Sequence, residues 1–179
     1  SVAWSPDGQL LASGSDDGMI KLWDVEQREL LGTLDEHDRD VNSLAWRSDG
    51  WRLASGSDDG TIKVWDVEQV EQGELVQTLE VPGAWVYSVA WRPFGQTLAS
   101  GFSDGSIRVW DVQQGIVLQT FEGHKKSVTS MAWSPGGWML ASTSWDDTIK
   151  LWDEDKGELV QTLAGGEYSY VNSVAWSPD

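Results

Sequence analysis

The chain has 179 residues, 40% of them hydrophobic and 23% charged, which is enough apolar material for a packed core and excludes a disordered chain. Twenty-nine acidic against twelve basic residues leave a net charge of −17, a field that repels phosphates and anionic lipid and so argues against nucleic acid or a membrane surface as partner. The absence of cysteine excludes disulfide frameworks, thiolate nucleophiles and zinc–sulfur centres, and no apolar run approaches the roughly 20 residues of a membrane span.

The first residues do not form a signal peptide, and Ser1 in place of a methionine suggests a processed or excised piece; a soluble, cytoplasmic protein is expected. In chain order, SVAWS (1–5) alternates as a strand does. Ser5-Pro6-Asp7-Gly8 is a turn, with proline where φ near −65° is wanted and glycine at its end. LLASGS (10–15) is a second strand. Asp17-Gly18 is a two-residue hairpin signal, and MIKLWDV (19–25) is a third strand rich in β-formers. A polar turn over VEQRE leads into ELLGTL (29–34), and Val41 begins the same sequence of elements again.

The tryptophans mark this repetition. Trp4, Trp46, Trp91, Trp133 and Trp176 end SVAW, SLAW, SVAW, SMAW and SVAW, at spacings of 42, 45, 42 and 43 residues. Trp23, Trp65, Trp110 and Trp152 each follow one of the first four by 19 residues, so nine of the thirteen tryptophans lie on one repeat. Length varies only after the Trp-Asp, with three extra positions around VEQVEQGE in 66–90 and one in 153–175. Each unit reads as four short antiparallel strands, and no stretch has the length and 3.6-residue period of a helix. In the third strand Ile20 and Leu22 alternate with Trp23, so both faces are apolar. A single sheet cannot bury two faces, whereas sheets stacked radially can, which predicts an all-β propeller of four-stranded blades. The expected boundaries are 1–40, 41–84, 85–126 and 127–169, with an extra inner strand over 170–179, for sixteen or seventeen strands in all.

With these residues in view, the chain resembles the WD-repeat propeller family over essentially its whole length, best in SVAWSPDGQLLASGSDDGMIKLWD. The resemblance implies a buried network joining the third-strand tryptophan, a second-strand serine, the hairpin aspartate and a histidine from the preceding loop. Carried over by position, the second blade has His37, Ser55, Asp59 and Trp65, and the fourth has His124, Ser142, Asp146 and Trp152. The third has Ser100, Asp104 and Trp110 but Pro82 at the histidine position, and the first has Ser13, Asp17 and Trp23.

Serine, histidine and aspartate together invite a hydrolase reading, but the trio recurs blade by blade with a tryptophan attached. A catalytic site is one asymmetric constellation, so the repeated quartet reads as structural and no catalytic residue is assigned. Asp16-Asp17, Asp58-Asp59 and Asp146-Asp147 lack the alternating ligand spacing of a calcium loop, and no two carboxylates are marked as a glycosidase pair. Neither metal nor cofactor is expected.

Four tryptophans lie off the repeat. Trp51 and Trp138 occupy the turn between first and second strands and share one rim, while Trp85 and Trp145 belong to the other. In the resembled family that other rim commonly binds partners, through the residue before the turn aspartate, one at the start of the inner strand and one two residues earlier. Here those positions read Asp40, Asn42 and Asp58, then Trp85, Tyr87 and Ser103, then Ser127, Thr129 and Trp145, and finally Tyr170 and Asn172, with Asp16 alone in the first blade. The passage from acidic to aromatic implies a protein or peptide partner with basic or apolar residues. A second reading is an assembly unit. Four blades are too few for a ring of the family's usual seven or eight, so two copies joined head to tail would form an eight-bladed homodimer. SVAWSPD stands at both 1–7 and 173–179, so two inner strands compete for each junction.

Overall fold

A computed structural model describes residues 1–68, 73–166 and 170–177. It contains sixteen strands in four antiparallel sheets, and no helix among the described residues, so none is long and apolar enough to cross a membrane. The first sheet is β1 (Val2–Trp4), β2 (Leu10–Gly14), β3 (Met19–Asp24) and β4 (Glu29–Asp35). The second is β5 (Val41–Trp46), β6 (Arg52–Ser57), β7 (Thr61–Asp66) and β8 (Glu74–Glu80). The third is β9 (Val86–Trp91), β10 (Thr97–Phe102), β11 (Ile107–Asp111) and β12 (Ile116–Phe121). The fourth is β13 (Val128–Trp133), β14 (Met139–Ser144), β15 (Thr148–Asp153) and β16 (Glu158–Ala164). Strand order follows chain order in every sheet, which is the meander the turn residues predict. Part of the insertion around VEQVEQGE, residues 69–72, lies outside the described residues, as do 167–169 and 178–179.

The register repeats from sheet to sheet. Leu11, Leu53, Leu98 and Leu140 each stand opposite the tryptophan of the Trp-Asp pair, and a bulge before that tryptophan shifts its pairing with the outermost strand. A bulge adds a residue and increases local twist, which suits a strand whose two faces meet different neighbours.

The contacts divide the chain into two compact units, Ser1–Val86 and Tyr87–Asp179. In the first unit, Ala12, Ile20, Leu22 and Leu34 of the first sheet share one core with Leu44, Leu53, Trp65 and Val67 around the second. In the second unit, Ala99, Ile107, Val109 and Phe121 of the third sheet share a core with Met131, Leu140 and Trp152 of the fourth. Within each unit the third strand of the earlier sheet, β3 or β11, turns its aliphatic face forward along the chain, and that of the later sheet, β7 or β15, turns its tryptophan back to meet it.

Indole N–H groups stitch neighbouring inner strands. Trp46 Nε1 donates to the Ala3 carbonyl at 3.0 Å, Trp133 Nε1 to Ala90 at 3.1 Å and Trp176 Nε1 to Ala132 at 2.8 Å. The expected extra inner strand departs from expectation in one respect. Residues 170–177 lie along β13 through these side-chain contacts, but they have no ladder partner among the described residues and are not a sheet strand.

Candidate functional site

The buried network is built by four successive elements of the chain. In the second sheet, the loop before β5 carries His37, β6 carries Ser55, the β6–β7 turn carries Asp59 and β7 carries Trp65. His37 Nδ1 lies 2.7 Å from Asp59 Oδ2 and its Nε2 lies 2.7 Å from Ser55 Oγ, which also accepts the Trp65 indole N–H at 2.9 Å. Among the described residues the other acceptor for the Ser55 hydroxyl is the Lys63 carbonyl at 3.4 Å, so the hydroxyl proton goes to the much nearer Nε2. That fixes a neutral imidazole with its proton on Nδ1, donating to Asp59. The fourth sheet repeats the arrangement with His124, Ser142, Asp146 and Trp152.

Burial pushes the His37 and His124 pKa values down, against the pull of Asp59 and Asp146. Burial also works to raise both aspartates, but hydrogen bonds outweigh it: Thr61 and His37 hold Asp59 below the ordinary carboxylate range, and Thr148, the Lys125 amide and His124 hold Asp146 down to about 2. The geometry has the distances of a catalytic triad without its exposure. Ser55 and Ser142 are fully buried, and each hydroxyl is already engaged by an indole and an imidazole, leaving no approach for a substrate.

Two threonines complete the network that sequence reasoning left at four members. Thr61 Oγ1 donates to Asp59 at 2.7 Å, and Thr148 Oγ1 to Asp146 at 2.6 Å. Their signal is visible in hindsight: the position two after the turn aspartate is threonine in both histidine-bearing blades, but Met19 and Ser106 in the others. In the third sheet Trp110 still donates to Ser100 at 2.7 Å, while Asp104 is exposed and bonds Ser106, and Pro82 is exposed as well. Asp146→Ala is therefore expected to cost about 1–3 kcal/mol and Asp104→Ala under about 1 kcal/mol. Urea denaturation midpoints of the two variants check the order.

Of the rim residues expected from the sequence, the first unit brings Asp40, Asn42 and Asp58 together. The Asp58 amide donates to the Asp40 carbonyl at 3.1 Å, and Asn42 Nδ2 donates to Asp58 Oδ1 at 2.6 Å and to the Val86 carbonyl at 3.0 Å. Trp85 is exposed and, with Arg39, Asp58 and Gly83, lines an open recess of about 300 Å³. In the second unit the Tyr87 and Trp145 rings meet at 5.4 Å with planes inclined by 52°. The Trp145 amide donates to the Ser127 carbonyl, the counterpart of the Asp58–Asp40 bond. Tyr170 stands with the Lys126 ammonium 5.6 Å from its ring, and its amide donates to Asp147. Asp147 takes the turn position that is glycine in the other blades and adopts φ of +66° there, a conformation aspartate tolerates better than most side chains. Among the described residues, no three His, Cys, Asp or Glu side chains are placed to hold a metal ion.

At the other end of their sheets, Trp51 of the first unit and Trp138 of the second are each exposed in the turn between first and second strands, and Trp138 folds back over Gly136 of its own turn. The second unit also holds, at that end, a cluster absent from the sequence reading. Arg92 donates from Nε to the Gly137 carbonyl at 2.8 Å, pairs with Glu154 at 3.0 Å and lies 5.6 Å from the Trp133 ring. Glu154 occupies the place of Val25, Val67 and Val112 after the Trp-Asp, and that one departure was its signal. Burial raises the Glu154 pKa, opposed by Arg92.

The comparisons agree with this architecture. Over 44 residues, a quarter of the chain, it is 46% identical to the General transcriptional corepressor TUP1 of Saccharomyces cerevisiae (strain ATCC 204508 / S288c) and 52% identical to the WD repeat-containing protein VIP3 of Arabidopsis thaliana. Those segments are 6% and 14% of the two relatives. A chain in the crystal structure of a mitotic checkpoint complex superposes with a TM-score of 0.90 at 34% identity, covering 99% of this chain and 54% of that one, so this chain spans about half its length. The repeat family described as WD domain, G-beta repeat matches residues 1–24, 28–66, 73–111 and 115–153, one match per sheet. Four meanders, each ending its third strand in Trp-Asp with the indole N–H donated to a second-strand serine, and each matched one by one, establish that the chain belongs to the WD-repeat family of β-propeller proteins.

Proposed function

We propose that this chain is a non-catalytic protein-interaction scaffold that binds a protein or peptide through the ends of its blades that bear the turns between second and third strands, in the second unit the β10–β11 and β14–β15 turns. The observation that carries the reading is the Tyr87–Trp145 pair. Trp145 is exposed and held in place by a tilted ring contact, and ordered aromatics at a surface are the residues that dominate binding energy in interfaces. The first unit offers acid on the same rim positions, with Asp40 and Asp58 beside Trp85, and the net charge of −17 favours a cationic partner. Its ligand is accordingly a peptide with basic and apolar residues, and neither nucleic acid nor a membrane surface. The similarity to a corepressor and to a chain of a checkpoint complex supports a protein partner.

A peptide array varying basic and apolar positions selects a ligand, whose affinity is then measured by fluorescence anisotropy. Replacing both Tyr87 and Trp145 by Ala is expected to weaken binding at least about tenfold, or ~1.4 kcal/mol. Replacing Trp51 and Trp138 is expected to leave it unchanged. The opposite pattern contradicts the reading.

A second reading concerns self-association into a homodimer, eight blades in one ring, and a specific observation favours it. Faces that are buried inside each unit are uncovered on the first and fourth sheets. Val25 is 39% exposed where its counterpart Val67 is 2%, and Leu163 is 41% exposed where its counterpart Leu34 is 3%. The backward-looking face of the first sheet is a copy of the face that closes on Leu34 within the chain. A second copy would cover both faces through an interface the chain already makes twice, as would further blades of a longer chain.

A further inference from the structure

We propose that the outer edge of β12 is a second docking surface, which takes an extended segment of another protein as an added strand, apolar at alternate positions and basic at its ends. Every sheet ends at its fourth strand, and within each unit neighbouring sheets meet through their side chains, so further blades of the same kind would leave these edges unpaired. An unpaired edge offers a row of amide and carbonyl groups to any strand that reaches it, and proteins blunt such edges with bulges and charged side chains. All four fourth strands share the register shift beside the Trp-Asp tryptophan. Three of them also begin on an exposed glutamate, Glu29, Glu74 or Glu158, each paired across the ladder with the aspartate of Trp-Asp. In β12 that residue is Ile116, opposite Asp111.

Charge is missing from the whole of that edge. From Val112 to Phe121 no residue is charged, whereas each matching stretch carries charge beyond its glutamate: Glu26 and Arg28 in the first sheet, Glu68 in the second, and Glu154, Asp155 and Lys156 in the fourth. Ile116, Val117 and Leu118 are 47%, 40% and 52% exposed, three successive apolar residues at the surface of a sheet interior to the chain. The edge they begin, Ile116–Phe121, has 6 residues and extends over about 20 Å, the length of an ordinary strand. A strand added there gains main-chain hydrogen bonds and lays its own apolar side chains beside these three. Charge also selects the occupant. A second copy brings a further net −17 to the edge, whereas Asp111 and Glu122, at either end of the neutral stretch, attract basic flanks on a foreign strand.

The probe is a peptide of alternating valine and threonine with lysines at both ends, its affinity read by fluorescence anisotropy and its site by hydrogen exchange. Added protection of amides within residues 116–121 is expected. Glutamates in place of the probe's lysines are expected to weaken binding about tenfold or more. The same peptide N-methylated at its valines and threonines keeps the side chains but cannot donate main-chain hydrogen bonds, and it too is expected to bind at least about tenfold more weakly. Ile116→Lys with Leu118→Lys places charge on the edge, as the other sheets do, and is expected to have an effect of the same size. Equal affinity of the N-methylated probe, which requires no change to the protein, overturns the proposal. Protection confined to residues 85–87 and 145–147 overturns it as well, and leaves the rim reading standing. A dimer by light scattering that the two lysines abolish would put a second copy on the edge and overturn the choice of partner.

Discussion

Gly105→Ala is expected to destabilise the chain by about 2–5 kcal/mol, far more than Gly8→Ala. Both glycines sit in tight turns with positive φ, +88° and +73°, so each alanine meets the strain of a left-handed backbone, roughly 1–2 kcal/mol. The space around them differs. A Cβ at Gly8 would meet nothing within 4 Å, whereas one at Gly105 would stand 2.6 Å from the His124 carbonyl oxygen and 3.0 Å from that of Lys126. Backbone cannot yield as a flexible side chain can, and overpacking of this kind adds about 1–3 kcal/mol. The hairpin of the third sheet thus supports, backbone to backbone, the loop that aims His124 into the network of the fourth, and Gly18 touches the His37 loop in the first unit in the same way. Equal denaturation midpoints for Gly105→Ala and Gly8→Ala would show that this approach is looser than described.

His37→Ala is expected to cost about 1–3 kcal/mol, and Asp38→Ala little, because the first leaves the Ser55 hydroxyl and Asp59 without their shared partner in a buried place. The histidines also give the chain a defined pH dependence. Their folded pKa values lie below 6.5, so the folded state favours the neutral ring and the unfolded state takes up protons first. Stability from this source is complete above pH 6.5 and declines as pH falls through the folded value. The aspartates act lower: their depressed values hold stability that is lost below about pH 4, with Asp146 titrating near 2. Unfolding followed at pH 7 and pH 5 should show a loss in the parent chain and a smaller one in the His37→Ala, His124→Ala double variant. An equal loss in both would place the proton uptake elsewhere.

Much of this was legible because a repeat fixes spacing within a blade. Trp65, Ser55 and Asp59 are tied by register along one hairpin, so the residues that form it also state which side chains face one another, and turn chemistry at Gly8, Gly18 and Gly60 sets the strand limits. Contacts between sheets are a different matter. The indole bonds of Trp46 and Trp133, and the Arg92–Glu154 pair, join residues from neighbouring sheets, and strand periodicity says nothing of which carbonyl lies within reach across that gap. Residues 170–177 show the limit most plainly. Their sequence is that of a strand, and whether they pair is decided by an edge that no residue of the segment encodes.

The central claim is that partners bind on the rim of Tyr87 and Trp145. Hydrogen exchange of the chain with and without a saturating basic-apolar peptide tests it most directly. The account predicts added protection at the backbone around residues 85–87, 126–129 and 145–147, with no change in the turns at 48–51 and 135–138. Protection confined to those two turns would contradict it.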